Sequence, residues 1–182
     1  MFNTAVTKLT APPVSVVLNW KASYDQSQDA LIDMSQAVPG YTAHNDMLAA
    51  LAEAAANPEL ARYGPVEGDM LLRQSYAQHL SDAYQATIAP ENIQITSGCN
   101  QAFVATALAV AGQGDRVVMM RPCYFNHESA LGMLGISIDY VDCDIDNGLL
   151  PDSAAIASVI NDKTKAVSLV SPNNPAGSVY PP

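Results

Sequence analysis

Residues 115–144 read DRVVMMRPCYFNHESALGMLGISIDYVDCD. The run DRVVMMRP (115–122) sets four apolar residues side by side and closes on Pro122. FNHESALGMLG (125–135) spaces its apolar residues as a helix does. ISIDYVDCD (136–144) returns to an extended apolar run. Strand, helix and strand within about thirty residues is the size of one parallel crossover unit. Strands apolar at nearly every position are buried on both faces, so helices must cover both sides of the sheet.

The same alternation extends outward. NIQITSG (92–98) predicts a strand running into a turn, and NQAFVATALAVAG (100–112) an apolar helix ending at Gly112. PDSAAIASVIN (151–161) predicts a helix and TKAVSLVSP (164–172) a strand. The expected fold is α/β, a mostly parallel sheet with helices on both faces. Upstream, NDMLAALAEAAA (45–56) predicts a helix capped by Asn45 or Asp46 and stopped by Asn57-Pro58. DMLLRQSYAQHLSDAY (69–84) predicts another, after a loop RYGPVEG (62–68). ALIDMSQAVPGY (30–41) reads as a short extended piece ending in a Pro-Gly turn. Residues 1–30, with Pro12-Pro13 and the polar run SYDQSQD, read as irregular. The domain expectation is an N-terminal arm or lead-in over 1–45 and the sheet domain over 46–182.

The chain has 182 residues, 49% of them hydrophobic, enough for one sizeable core. Eighteen acids against eight bases give a net charge of −10. With no Lys/Arg cluster, that balance argues against nucleic acid or an anionic membrane as partner. Cys99, Cys123 and Cys143 form no CxxC pair, so a disulfide framework and a zinc knuckle are disfavoured, and a reduced cytoplasm is expected. His44, His79 and His127 lack metal-ligand spacing. MFNTAVTKLTAPP carries no basic segment leading into an apolar run, so no secretion signal is expected.

In parallel sheets of this kind, ligands bind beyond the carboxyl ends of the strands. Three loops therefore matter. TSGCNQAF (96–103) sets a glycine turn before a helix, whose free amides and dipole favour a phosphate. It has neither the lysine of a P-loop nor GxGxxG, and a plain strand-to-helix turn uses the same residues. Tyr124, just past a strand, suits stacking on a planar cofactor and equally suits packing. Asn173 and Asn174 offer amides for a phenolate-type oxygen, and an Asn-Pro turn uses them too. His127, near a helix start, lies within reach of the same region, and no G-x-S-x-G elbow occurs.

Five segments in order carry a resemblance: IDMSQAVPGY (32–41), RYGPVEGDMLLRQSYAQHL (62–80), ITSGCNQAF (95–103), DRVVMMRPCYFNH (115–127) and SLVSPNNPAG (168–177). Together they resemble the N-terminal part of the fold-type I, class I/II aminotransferases, which depend on pyridoxal 5'-phosphate. Ala176 stands where that family usually has threonine. The resemblance implies that Gly98, Cys99 and Asn100 hold the cofactor phosphate, that Tyr124 stacks on the pyridine ring and that Asn174 bonds its phenolic oxygen. It implies that Tyr63 reaches the phosphate of a neighbouring subunit, hence a homodimer. Ala37 takes a position, usually glycine, near the substrate carboxylate. The implied substrates are an amino acid and a 2-oxo acid. The family's Schiff-base lysine, its aspartate for the pyridine nitrogen and its carboxylate-gripping arginine all come later than these motifs. The chain is thus expected to be the front part of a longer enzyme, inactive alone. A lyase of the same fold and a non-catalytic interaction fragment are the alternatives.

Overall fold

Four consecutive buried residues, Val117, Val118, Met119 and Met120, make Arg116–Arg121 (β1) the centre of the sheet. The computed structural model describes residues 2–25, 27, 29–36 and 38–181. They form two compact units, residues 1–13 with 97–182, and residues 14–96.

In the first unit, β1 lies between Ser137–Asp142 (β2) and Thr164–Ser168 (β3), and both pairings are parallel. The expected parallel sheet is therefore present. Val117 faces Ile138 and Ala166, and Met119 faces Tyr140 and Ser168. On one face, Val117 and Met119 pack with Ala107 and Phe103 of Cys99–Val110 (α5), Leu131 of Phe125–Met133 (α6), and Ile136. On the other, Val118, Met120 and Val141 pack with Ala155, Ile156 and Val159 of Ser153–Val159 (α7). Alternation along β1 divides its apolar side chains between the two layers, as a continuous apolar strand requires. The helix α6 stops at Gly135, whose φ of +72° lets the Ile136 amide reach back to the Leu131 carbonyl at 3.0 Å.

The residue 14–96 unit is helical: Val14–Ser23 (α2), Asn45–Ala56 (α3) and Met70–Tyr84 (α4). The short Thr4–Thr7 helix (α1) precedes it in the first unit. Residues 1–30, expected to be irregular, thus carry two helices. The run VSVVLNWKAS is apolar enough to form α2, and Pro12-Pro13 stand before it rather than within it. Residues 45–56 are helical as predicted, but the cap is His44, whose Nδ1 accepts the Asp46 amide at 3.3 Å. Asp69 caps α4, accepting the Leu71 and Leu72 amides at 2.9 and 3.3 Å.

The strand expected at 92–98 is not one. Residues 93–96 join no ladder, and the Ile95 amide bonds at 2.9 Å to the Glu67 carbonyl of a loop. Arg73 of α4, 8% exposed, holds this region by donating to the carbonyls of Gly68 at 3.2 Å and Pro90 at 3.3 Å.

Candidate functional site

The site gathers at the carboxyl ends of β1 and β3. Past β1 comes Pro122-Cys123-Tyr124, with Tyr124 as the N-cap residue of α6. Past β3 comes the turn from Ser171 to Gly177. Three X-Pro bonds in these loops are cis: Arg121–Pro122, Ser171–Pro172 and Asn174–Pro175. A narrow crevice between the loops is lined by Tyr124, His127, Ser168, Asn173, Asn174 and Tyr180.

The two asparagines have separate tasks. Asn173 is buried, and its Oδ1 accepts the Ala176 amide at 3.0 Å while its Nδ2 donates to the Tyr180 hydroxyl at 3.1 Å. Its main chain also closes the turn, accepting from Gly177 at 2.7 Å and donating to Ser178 at 2.8 Å. Asn174 is exposed and keeps its amide at the crevice wall. Sequence reading placed both amides at this mouth; in the fold Asn173 is tied into its own turn and Asn174 is exposed.

The rings form a connected set. His127 stacks on Phe103 with centroids 3.8 Å apart and meets Tyr124 edge-on at 5.3 Å. Asn126 donates to the Tyr124 hydroxyl at 2.6 Å. Phe103 lies one turn into α5 from Cys99, so the ring stack ties the starts of α5 and α6 together. His127 Nδ1 is buried without a hydrogen-bond partner among the described residues. Burial pushes its pKa down, so the imidazole is neutral near pH 7. An orphaned polar atom in a crevice wall is costly unless a bound group supplies its partner.

At the start of α5, Gly98 is the N-cap with φ +88°, a conformation that favours glycine. Gly98 has no side chain to cap this end, and the Ser97 amide just before it donates to Gln101 Oε1 at 2.5 Å. Cys99 and Asn100 follow, both exposed, in a first turn whose amides have no intrahelical acceptor. Asn100 also lines a shallow groove between α5 and α6 with Phe103 and Asn126. Cys123 carries a thiol pushed up in pKa by burial, so it supplies no thiolate. Tyr63 belongs to the residue 14–96 unit, where its ring is fully exposed. Ala37 lies outside the described residues. Sequence reading missed Phe103 and Tyr180. Phe103 had a signal, since it follows Cys99 by one helical turn.

No lysine lines the crevice among the described residues. Lys165 is near the amino end of β3, 3.8 Å from Asp115, with Lys163 just before the strand. Lys21 pairs with Asp33 at 2.5 Å, and Lys8 lies on the N-terminal arm beside a cavity lined also by Phe125 and Glu128. Among the described residues, no group of His, Cys, Asp and Glu is placed to hold a metal ion.

A parallel sheet with a helix start and a loop crevice at the carboxyl ends of its strands is a frame on which α/β proteins bind ligands. Residues 29–182 match the family aminotransferase class I and II, and the chain belongs to that family. The family is pyridoxal-phosphate-dependent. The aromatic aminotransferase ISS1 of Arabidopsis thaliana is 33% identical over 128 residues, 69% of this chain and 32% of that protein. The aspartate/prephenate aminotransferase of Thermus thermophilus is 27% identical over 171 residues, 93% of this chain and 44% of that protein. A single mutant of Thermus thermophilus aspartate aminotransferase shares the fold at a TM-score of 0.91 and 23% identity, covering all of this chain and 47% of its own. The chain thus spans from 32% to 47% of the length of these relatives.

Proposed function

We propose that this chain forms the cofactor-holding front of an aminotransferase that moves an amino group between an amino acid and a 2-oxo acid. The observation that supports the reading is the crevice at the ends of β1 and β3, lined by Tyr124, by His127, whose Nδ1 has no hydrogen-bond partner among the described residues, and by the exposed Asn174. The chemistry of these groups suits pyridoxal phosphate: an aromatic face and an amide donor for a flat, hydroxylated heteroaromatic, and a helix start for its phosphate.

When bound, pyridoxal phosphate supplies an electron sink for the substrate's Cα. The chain's own residues anchor and polarise. Amides of Gly98, Cys99 and Asn100 hold the phosphate through the dipole of α5. The Tyr124 ring stacks on the pyridine, excluding water from that face. The Asn174 amide donates to the phenolic oxygen, stabilising its anionic form. Tyr63, exposed on its loop, serves the phosphate of a second copy in a homodimer, and the family resemblance assigns Ala37 to the substrate carboxylate. Pairing Asn174 with an anionic oxygen favours transamination and a β-lyase alike, and the relatives named above favour transamination. A reducing cytoplasm suits the three free cysteines.

Two measurements test this. Titration of the chain with pyridoxal phosphate, followed by visible absorbance, is expected to show saturable binding that Tyr124→Ala weakens about fivefold, the equivalent of ~1 kcal/mol of ring stacking. Equal affinity of variant and parent would make Tyr124 a packing residue. With no lysine at the crevice among the described residues, the chain mixed with pyridoxal phosphate, amino acids and 2-oxoglutarate is expected to give no glutamate above a protein-free blank. Protein-dependent turnover would overturn the assignment of roles.

A further inference from the structure

The first turn of α6 carries both crevice rings, Tyr124 and His127, yet no side chain caps it. An uncapped helix start frays. On its inner side this turn is held by the stack of His127 on Phe103. On its outer side a second set of contacts begins at Glu128, the residue after His127. Its carboxylate accepts a hydrogen bond from the Tyr140 hydroxyl of β2. The Arg121 guanidinium lies over the Tyr140 ring, 4.6 Å from its centroid. Arg121 is in turn oriented by a two-pronged bond to its register partner Asp142, at 2.7 and 2.9 Å.

These contacts close on themselves. Arg121 ends β1, and the chain runs from it through Pro122 and Cys123 to Tyr124. From the other direction, Arg121 reaches the same helical turn through Tyr140 and Glu128. The Arg121–Asp142 pair is exposed, and such pairs contribute little energy. Its value is geometric, because two parallel bonds fix the plane of the guanidinium that covers Tyr140.

We infer that Tyr140 and Glu128 are positioning residues for the cofactor, holding the first turn of α6 so that Tyr124 and His127 face the crevice. This rests on the proposed function for the identity of the ligand, but the orientation of the turn stands apart from it. Tyr140 and Glu128 act through Tyr124 and His127. The amides proposed to hold the phosphate belong to α5, which meets this turn through the stack of His127 on Phe103, whereas the clamp's own hydrogen bond joins Tyr140 of β2 to Glu128 of α6.

The test uses the full chain and the variants Tyr140→Phe, Glu128→Ala and Glu128→Gln. Tyr140→Phe and Glu128→Ala are expected to weaken pyridoxal phosphate binding about fivefold, the scale of one lost hydrogen bond, while the affinity for inorganic phosphate stays unchanged. Glu128→Gln keeps an acceptor oxygen and is expected to restore most of the affinity. Equal losses for both ligands, or no rescue by Gln, would overturn the clamp. The second readout is the proton NMR signal of the His127 ring, shifted by its stack on Phe103. In Tyr140→Phe that signal is expected to move toward its unstructured position while the Leu131 methyl signals of the core hold. An unmoved His127 signal overturns the inference, whatever the cofactor does. Failure of the unaltered chain to bind pyridoxal phosphate would sink the proposed function instead, with the His127 signal still deciding the clamp.

Discussion

Gly68→Ala is expected to destabilise the chain by about 3 kcal/mol, through overpacking and a left-handed backbone acting together. Gly68 has φ +100°, and a Cβ there would lie 2.5 Å from Ile95 Cγ1 and 2.6 Å from Ile95 Cβ. These are not the far ends of a flexible side chain. The Ile95 amide is bonded to Glu67 at 2.9 Å, next door to the glycine, so Ile95 has little freedom to retreat. The carbonyl of Gly68 also accepts from Arg73, and a shifted backbone would strip that buried guanidinium of one acceptor. Gly40→Ala is the control, since nothing lies within 4 Å of a Cβ there, and a change within about 0.5 kcal/mol is expected. Urea unfolding of the two variants and the parent measures the difference. Similar midpoints for Gly68→Ala and Gly40→Ala would show that Ile95 yields, and that this close approach constrains nothing.

The adjacent asparagines give the second large effect, and their contrast is as informative as its size. Asn173→Ala leaves the Ala176 amide and the Tyr180 hydroxyl without their present partners in a half-buried setting, at a cost of about 3 kcal/mol. Asn173→Asp keeps the acceptor for Ala176 and loses the donor to Tyr180, so its loss should be intermediate. Asn174→Ala is expected to leave stability within about 0.5 kcal/mol, because the side chain is exposed, and to weaken pyridoxal phosphate binding. Unfolding curves and cofactor titrations on the same samples separate the two. If Asn174→Ala were the destabilising change, the division of labour between the two amides would be reversed.

The core sheet was readable because its signals are local. Four apolar residues in a row at 117–120 admit few alternatives to a doubly covered strand, and the apolar residues of Ser137–Asp142 and Thr164–Ser168, fewer and less buried, fall at the spacing a parallel crossover requires. Residues 92–98 carry a similar local pattern, but a strand also needs a neighbour to bond with. Ile95 bonds to a loop instead, and no property of NIQITSG alone announces that. The cap of α3 failed for another reason. Asn and Asp are the usual caps, so His44 was passed over, although an imidazole nitrogen accepts an amide as well. At the crevice, the positions of Tyr124 and Asn174 just past strands were legible, while what they hold stays a proposal. The orphaned Nδ1 of His127 was not, since its isolation depends on Phe103 arriving from a different helix.

The order of the strands has a bearing on how the sheet is built during synthesis. The middle strand, β1, is also the earliest of the three in the chain, so growth from the ribosome begins at the centre and proceeds to both edges. Val117 meets Ile138 across roughly twenty residues, and Met119 meets Ser168 across nearly fifty. Closing the longer loop costs only about 1 kcal/mol more in chain entropy, since that cost rises logarithmically. Each later strand therefore arrives at a template already made, and neither has to be inserted between two others. A nascent chain that has emerged from the ribosome as far as residue 144 would hold a βαβ seed with one open side, the side that β3 then covers.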